Sequence, residues 1–531
     1  MSTASLTTAN AQKPGCSISL PDSTVVTPTV AMWQVHPRDN VLIALRAIAA
    51  GEQLIAPFAD VTALEDIPAG HKVAITDLAQ GAEVRKYGFA IGATTQAVKA
   101  GSHIHSHNTA TQLSGELAYQ YQGCQGHELS YPTDLPTEFM GYRRKNGKVG
   151  TRNELWIINT VGCVNRAATR IAAEANKRLA AAGILNTNID GVFAYTHPFG
   201  CSQLGDDLAH TRTILAGLIQ HPNAGAVLVV GLGCENNQLA KLLEASPGVD
   251  SSRIRSFNAQ QVEDEVEEGI AAVEELLALM AEDQRTPCPV SELVFGMKCG
   301  GSDGLSGLTA NPLVGQVADL ASGAGGKVIL TETPEMFGAE QVFMARARNE
   351  VVFHDLVKLV NNFKQYFIDN NQPVYENPSP GNKAGGLTTL EEKSLGAIQK
   401  GGSAIVEQVI QYGEIATVPG LTLLEGPGND AVSSTALTAA GATLLLFTTG
   451  RGTPLGFPVP TVKISSNSNL AARKPMWIDY DAGAMLQPGV DSQQFSKEFF
   501  RYLLQVASGQ YTRNEQSENK EIALWKNGVT L

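Results

Sequence analysis

The chain is 531 residues long, 43% hydrophobic and 17% charged, with a formal net charge of −13 and seven cysteines. That length exceeds what one hydrophobic core organises, so about two to four globular domains are expected. The acidic balance and the lack of any lysine- or arginine-rich block speak against nucleic acid and anionic membrane as partners. A small molecule is the partner to expect, and a homo-oligomer stays open. No apolar stretch is long enough to span a bilayer; the greasiest, Ala224–Leu232 and Ala442–Phe447, have the length of buried strands. An odd number of cysteines without a short-range framework fits a reducing, cytoplasmic setting.

Residues 1–31 are rich in Ser and Thr and lack a basic segment followed by an apolar one, so they read as a disordered tail and not as a secretory signal. Residues 32–108 alternate short β-like runs (VLIAL, HKVAITDL, EVRKYG) with turn residues and predict a small β-rich domain. Residues 109–140 turn to Gln, Ser, Tyr, Gly and Pro without a sustained apolar period, as a linker does. From 141 the pattern changes. ELWIINTVGC precedes RAATRIAAEANKRLAAA, DGVFAYTHPFGC precedes DDLAHTRTILAGLI, and AGAVLVVGLGC precedes NQLAKLLEA. Strand–loop–helix alternation of this kind predicts a parallel, Rossmann-like sheet over 141–290. Within it, Ala259–Gln284 places apolar residues at helical spacing beneath a carboxylate-rich, solvated face. A second α/β domain, 291–531, carries SELVFGMKCGGSDG, NPSPGNKAGG, GPGNDAVSS and LLLFTTGRGTPLG. Its strands again empty into Gly-rich loops, where ligands of open α/β sheets gather. The expected fold class is α/β.

Four loops join glycine to cysteine: VGCVN, FGCSQLGDD, LGCENN and KCGGSDG, with Cys163, Cys201, Cys234 and Cys299. Glycine permits close backbone approach to a ligand, and a helix N-terminus favours a thiolate able to bind metal. The plain alternative is four small buried hydrophobes. HIHSHN offers a second candidate metal set, because alternate positions on a strand put His103, His105 and His107 on one face, suited to Fe(II), Mn(II) or Zn(II). Arg451 could pair with a carboxylate, Lys383 offers a charge or base, and Asn382 and Asn429 can bind hydroxyls. Asp206, Asp207, Glu235 and Asp303 follow the cysteines closely, as bases, ligands or helix caps.

RRKNGKVGTRNELWI, TVGCVN, YTHPFGCSQLGDD, CGGSDGLSGLTANP, YENPSPGNKAGGLTTLEEKSLG, PGNDAVSSTAL and FTTGRGTP together resemble the altronate/galactarate dehydratase family, over essentially Trp33–Leu531. The resemblance implies that the first domain is a SAF domain. It further implies dehydration of D-altronate to 2-dehydro-3-deoxy-D-gluconate in galacturonate catabolism, with ferrous iron as cofactor, or Mn2+ in its place. HIHSHN stands where galactarate dehydratases carry acidic residues, which favours the altronate branch. Dehydration of galactarate or another β-hydroxy acid, and sugar-acid binding without turnover, are the alternatives. For this reaction, His197 and Lys383 are the expected proton-transfer residues, with Arg451 on the carboxylate and Asp303 a further catalytic residue. Iron is expected on Cys163, Cys201, Cys234 and Cys299, singly or as an iron–sulfur cluster, or else on His103, His105 and His107.

Overall fold

The computed structural model describes residues 31–531 except 57–58, 114, 116 and 184–187, so the expected N-terminal tail lies almost wholly outside the described residues. The first domain is all-β. Short antiparallel strands build one sheet from Met32–Trp33, Val41–Ala44, Lys72–Ala74 and His103–Ile104, and another from Glu83–Lys86, Phe89–Thr94 and Thr109–Ala110. The HIHSHN strand is shorter than its alternation predicts. It stops at Ile104, because Asn108 folds the following residues into a turn by accepting from His105 N at 2.9 Å and donating to the His103 carbonyl at 2.8 Å.

The stretch expected as a linker is a packed strap. Its composition does prevent regular structure, but Leu113, Tyr119, Tyr121, Leu129 and Tyr131 lie against the main apolar core. The Tyr119 hydroxyl donates to Glu340. At the strap's end Glu138–Arg143 pairs antiparallel with Val149–Gly150 and with Thr286–Pro289.

Two wholly parallel sheets follow. The first has the order Gly191–Tyr195, Glu154–Asn159, Ala224–Gly231, Ile254–Asn258. One face is covered by helices Asn165–Ala181 and Glu265–Met280. The acidic helix is shorter than its periodicity because Asp264 caps it, accepting from the N–H groups of Val266 and Glu267. The second sheet has seven strands, with Val294–Cys299 central, Lys327–Leu330, Gly420–Leu424 and Val406–Ile410 to one side, and Leu444–Thr449, Thr461–Ser465 and Tyr480–Asp481 to the other. Strands Val294–Cys299, Leu444–Thr449 and Thr461–Ser465 are buried along their whole length, as parallel strands covered on both faces must be.

Helix Gly205–Ile219 of the first parallel sheet packs on helix Asp430–Ala439 of the second in one shared core. The middle of the RRKNGKVGTRNELWI motif serves this junction. Thr151 Oγ1 donates to the Thr443 carbonyl at 2.9 Å, and the buried Arg152 guanidinium meets Glu515 at 2.7 Å. The segments that lead into strands Glu154–Asn159 and Leu444–Thr449 therefore meet.

The SAF-like domain docks on loops of the C-terminal domain through backbone contact too close for side chains. A Cβ on Gly304 would lie 1.9 Å from the Gly70 carbonyl oxygen, and one on Gly386, at φ +103°, 2.3 Å from the same atom. Beneath the contact, Lys72 and Lys86 reach across to Glu392 at 2.8 and 2.9 Å, all three side chains fully buried.

Candidate active site

In the seven-stranded sheet the chain leaves the central strand Val294–Cys299 toward one side and returns on the other at Leu444–Thr449. This is a topological switch point, where parallel α/β sheets bind ligands. A cavity of about 590 Å³ opens there, with Cys299, Glu335, Asn377, Asn382, Lys393 and Asp430 in its wall.

Behind that wall the charges alternate. The Cys299 thiol donates to Glu335 Oε2 at 3.0 Å and receives Lys400 Nζ at 2.9 Å, and the Cys299 N–H donates to Glu332 Oε2 at 2.9 Å. Lys393 pairs with Glu335 Oε1 at 2.7 Å, and Lys298 with Glu332 Oε1 at 3.0 Å and Asp430 Oδ1 at 2.8 Å. Glu332 takes a left-handed backbone, φ 73°, rare for a residue with a side chain and held here by these partners. Burial raises the Glu332 carboxyl. Glu335 is equally buried, yet Lys393 and Lys400 outweigh that burial and hold it low. Two carboxyls in contact with one thiol are thus pushed apart in acidity, the arrangement by which a site separates an acid from a base.

Cys299, Glu332 and Glu335 each offer a ligand atom within 4.8 Å of the others. The donor set nevertheless fits a dication poorly. Burial, then the two carboxylates, keeps the Cys299 thiol well above its ordinary pKa, and three ammonium groups already neutralise the cluster.

Neutral imidazoles suit a dication better than this set does, although among the described residues no three of the histidines bring their ligand atoms within 4.8 Å of one another. His71 from the turn before Lys72–Ala74 joins His103, His105 and His107, with ring centroids 5.0–5.5 Å apart. His71 Nδ1 and His103 Nε2 are 2.9 Å apart. That spacing suits two nitrogens held at ~2.1 Å from one ion. The other nitrogens face backbone: His105 Nε2 is 2.9 Å from the Lys383 carbonyl and His71 Nε2 is 3.4 Å from that of Ala384. Such contacts fix the tautomer; the opposite nitrogen of His71 faces His103, whereas that of His105 lies 3.0 Å from Ser106 Oγ. Burial and the neighbouring rings bring His103 down to about 3 and His71 to about 4, so the rings are neutral, the ligating form.

The expected site residues divide. Arg451 extends over Gly301 and Gly381, its Cβ 3.4 Å and Nε 3.8 Å from the sites their Cβ atoms would take, at the cavity rim. Lys383 and Asn382 occupy the short helix Pro380–Ala384 between cavity and histidines. Asn382 is committed to structure, however: its Oδ1 receives Ser379 and Lys393, and its Nδ2 donates to the Ser302 carbonyl at 2.8 Å. Asn429 caps helix Asp430–Ala439. Asp303 Oδ1 accepts from Leu305 N, Ser306 and Ser466 and its Oδ2 from Asn467, so it fastens loops together.

His197 lies in the other sheet, buried, with Nε2 2.9 Å from the Asn159 carbonyl and Nδ1 accepting from Phe199 N, which leaves no nitrogen for proton transfer. Cys163, Cys201 and Cys234 also belong to that other sheet, apart from the Cys299 cluster. Glu235 accepts from Thr160, Leu232 N and Gly233 N, and Asp207 from Asn527 N and Gly528 N; both are loop clamps. Sequence reading missed Glu332, Glu335, Lys393, Lys400 and His71. EEKSLG carries Lys393 within a motif used only for resemblance, and Glu335 stands in PEMFG.

The chain is 50% identical to an altronate dehydratase of Escherichia coli (strain K12) over 498 residues, 94% of this chain and 99% of that one. The chain belongs to the altronate/galactarate dehydratase family. Family models match in three consecutive blocks: the altronate/galactarate dehydratase SAF domain at residues 30–112, the D-galactarate dehydratase/altronate hydrolase second domain at 141–281, and the D-galactarate/altronate dehydratase C-terminal domain at 290–530. An altronate dehydratase of Bacillus subtilis (strain 168) is 49% identical over 94% of this chain and 99% of its own length. A galactarate dehydratase (L-threo-forming) of Escherichia coli (strain K12) is more distant within the same family, at 34% over 91% of this chain and 94% of its own.

Proposed function

We propose that this chain is a hydro-lyase that converts D-altronate to 2-dehydro-3-deoxy-D-gluconate. The reaction removes the C2 proton and the 3-hydroxyl as water, and the resulting enol tautomerises to the keto acid. The observation that carries the reading is the Lys393–Glu335 pair in the wall of a cavity large enough for a six-carbon acid, at the sheet's switch point.

Removing a proton beside a carboxylate builds negative charge on the carboxylate oxygens. Lys393 meets that charge from the cavity wall and Arg451 from the rim. As Lys393 turns toward the substrate, Glu335 loses part of the positive field that holds it low and becomes the base for the C2 proton. The Cys299 thiol and Lys400 keep the Glu335 carboxylate aimed while this happens. Asn377 Oδ1, 3.0 Å from Lys393 Nζ, steadies the ammonium. His71, His103 and His105 are the residues best suited to hold ferrous iron, which supplies a Lewis acid when bound. Their carbonyl partners on Lys383 and Ala384 belong to the segment that carries Asn382 to the cavity.

Protein purified anaerobically and supplied with Fe2+ should produce a 2-keto-3-deoxy acid from D-altronate at a kcat/KM far above that for galactarate; no keto acid from any sugar acid in such a panel overturns the proposal. Glu335→Gln should retain substrate binding by calorimetry and lose turnover. His103→Ala and His105→Ala should each weaken iron binding by about tenfold or more in equilibrium dialysis. Unchanged iron affinity in both would remove the histidines from the assignment.

A further inference from the structure

The three Gly-Cys loops of the second domain take no part in the site above. They also surround a switch point. Strand Glu154–Asn159 is flanked by Gly191–Tyr195 on one side and Ala224–Gly231 on the other, and the loops after these three strands carry Cys163, Cys201 and Cys234. All three thiols are free and exposed.

The frame that carries them is stiff. Gly162 N donates to the Phe199 carbonyl at 2.9 Å, Asn237 N to the Gly200 carbonyl at 2.9 Å, Ser202 N to Asn236 Oδ1 at 2.8 Å, and Asn237 Nδ2 to the Thr160 carbonyl at 3.1 Å. Every loop is thus bonded to another. Gly200, at φ +100°, lies so close to the first loop that a Cβ would sit 2.1 Å from the Thr160 carbonyl oxygen. Ser202, next to Cys201, is held left-handed at φ 56°. Beside it, the buried Gln203 accepts from Gly200 N but leaves its own amide nitrogen without a partner. Cys163 and Cys201 shortly precede helices Asn165–Ala181 and Gly205–Ile219.

The sulfur spacing discriminates between ligands. Cys163, Cys201 and Cys234 do not form a group with all ligand atoms within 4.8 Å. One ion with metal–sulfur bonds of ~2.3 Å holds its thiolates roughly 3.8 Å apart, so these three are too widely set to share it. A polynuclear cluster takes each thiolate on a different iron and so does not need them to meet at one ion. We infer that Cys163, Cys201 and Cys234 bind a cubane iron–sulfur cluster, [4Fe–4S], through three of its irons and leave the fourth without a cysteine ligand. Transfer of a preformed thiolate-ligated cluster breaks three of its Fe–thiolate bonds as three Fe–S(Cys) bonds form, the three displaced thiolates taking the cysteine protons and leaving as thiols, so no oxidant is needed. The assignment does not rest on the dehydratase reading or on the histidine iron site.

The full chain, kept anaerobic, is treated with a synthetic thiolate-ligated cubane cluster and desalted. About four acid-labile sulfides per chain are expected, falling at least tenfold in Cys163→Ser, Cys201→Ser and Cys234→Ser but not in Cys124→Ser or His103→Ala. On the unmutated chain, alkylation mapped by mass spectrometry should find Cys163, Cys201 and Cys234 protected and Cys124 still reactive, a readout independent of how the variants fold. Iron without sulfide, sulfide retained by the triple serine variant, or all three thiols alkylated after loading would each overturn the inference.

Discussion

Lys393→Met is expected to lower kcat/KM for altronate by about 10²–10³-fold, the effect of deleting one group aimed at developing charge. Lys393 is 9% exposed; burial works against its charge, but Glu335, the Cys299 thiol and Glu332 outweigh it and keep the side chain cationic. The ammonium meets the substrate carboxylate before reaction and the enediolate during it, so KM should rise as kcat falls. A purely structural role predicts a different pattern. Removing Lys393 strips Glu335 of its closest cation, and breaking a buried pair costs about 3–5 kcal/mol. The double variant Lys393→Met with Glu335→Gln relieves that unpaired carboxylate, so it should recover stability in thermal unfolding while remaining inactive. Recovery of activity in the double variant would refute the assignment of Lys393 to the substrate. Lys393→Arg keeps the charge but not the compact shape that fits between Glu335, Asn377 and Asn382, and should fall between the two.

The strand–Gly loop pattern from Gly141 onward was legible because a parallel strand buried on both faces must be a continuous apolar run, and the chain must turn sharply where it ends. The same logic found Cys299 at the edge of the central strand. What it could not supply was pairing between distant segments. Glu332 and Glu335 lie in a segment with no periodicity, and Lys393 and Lys400 in a short run that reads as an ordinary amphipathic helix; only the folded sheet sets them around one thiol. Cys299 therefore looked like a sister of the other three cysteines, although its neighbours are carboxylates and lysines. The histidines illustrate the converse. Alternation in HIHSHN placed three rings together correctly but for a partly wrong reason, since the strand ends at Ile104 and an Asn108 turn gathers the rest. His71, 32 residues before His103, carried no signal at all.

Glu392→Gln should loosen the docking of the SAF domain by about 3–5 kcal/mol, because it leaves two lysines buried against a neutral amide. Glu392 Oε2 accepts from Lys72 and from both N and Oγ1 of Thr388, Oε1 accepts from Lys86, and Lys72 also reaches the Gly386 carbonyl at 2.7 Å. Burial brings Lys72 down to about 8, whereas Glu392 overcomes the burial of Lys86 and holds it above its ordinary value. Burial opposes the charge on Glu392 as well, but the two lysines outweigh it and depress its pKa from 4.5. A carboxyl depressed in the folded state contributes stability that is complete above its unfolded pKa and is lost as pH falls toward the folded one. Acid should thus release the SAF domain from the unmutated chain below about pH 4.5, and that pH dependence should be absent from Glu392→Gln. Hydrogen exchange over residues 31–112 at neutral pH should quicken by about 10²–10³-fold in the variant if the domain opens as a unit. The same opening parts His71 and His105 from the carbonyls of Ala384 and Lys383, so iron affinity should fall with docking while the Lys393–Glu335 pair stays intact. Faster exchange with unchanged iron affinity would mean that the histidines hold their arrangement without the C-terminal domain.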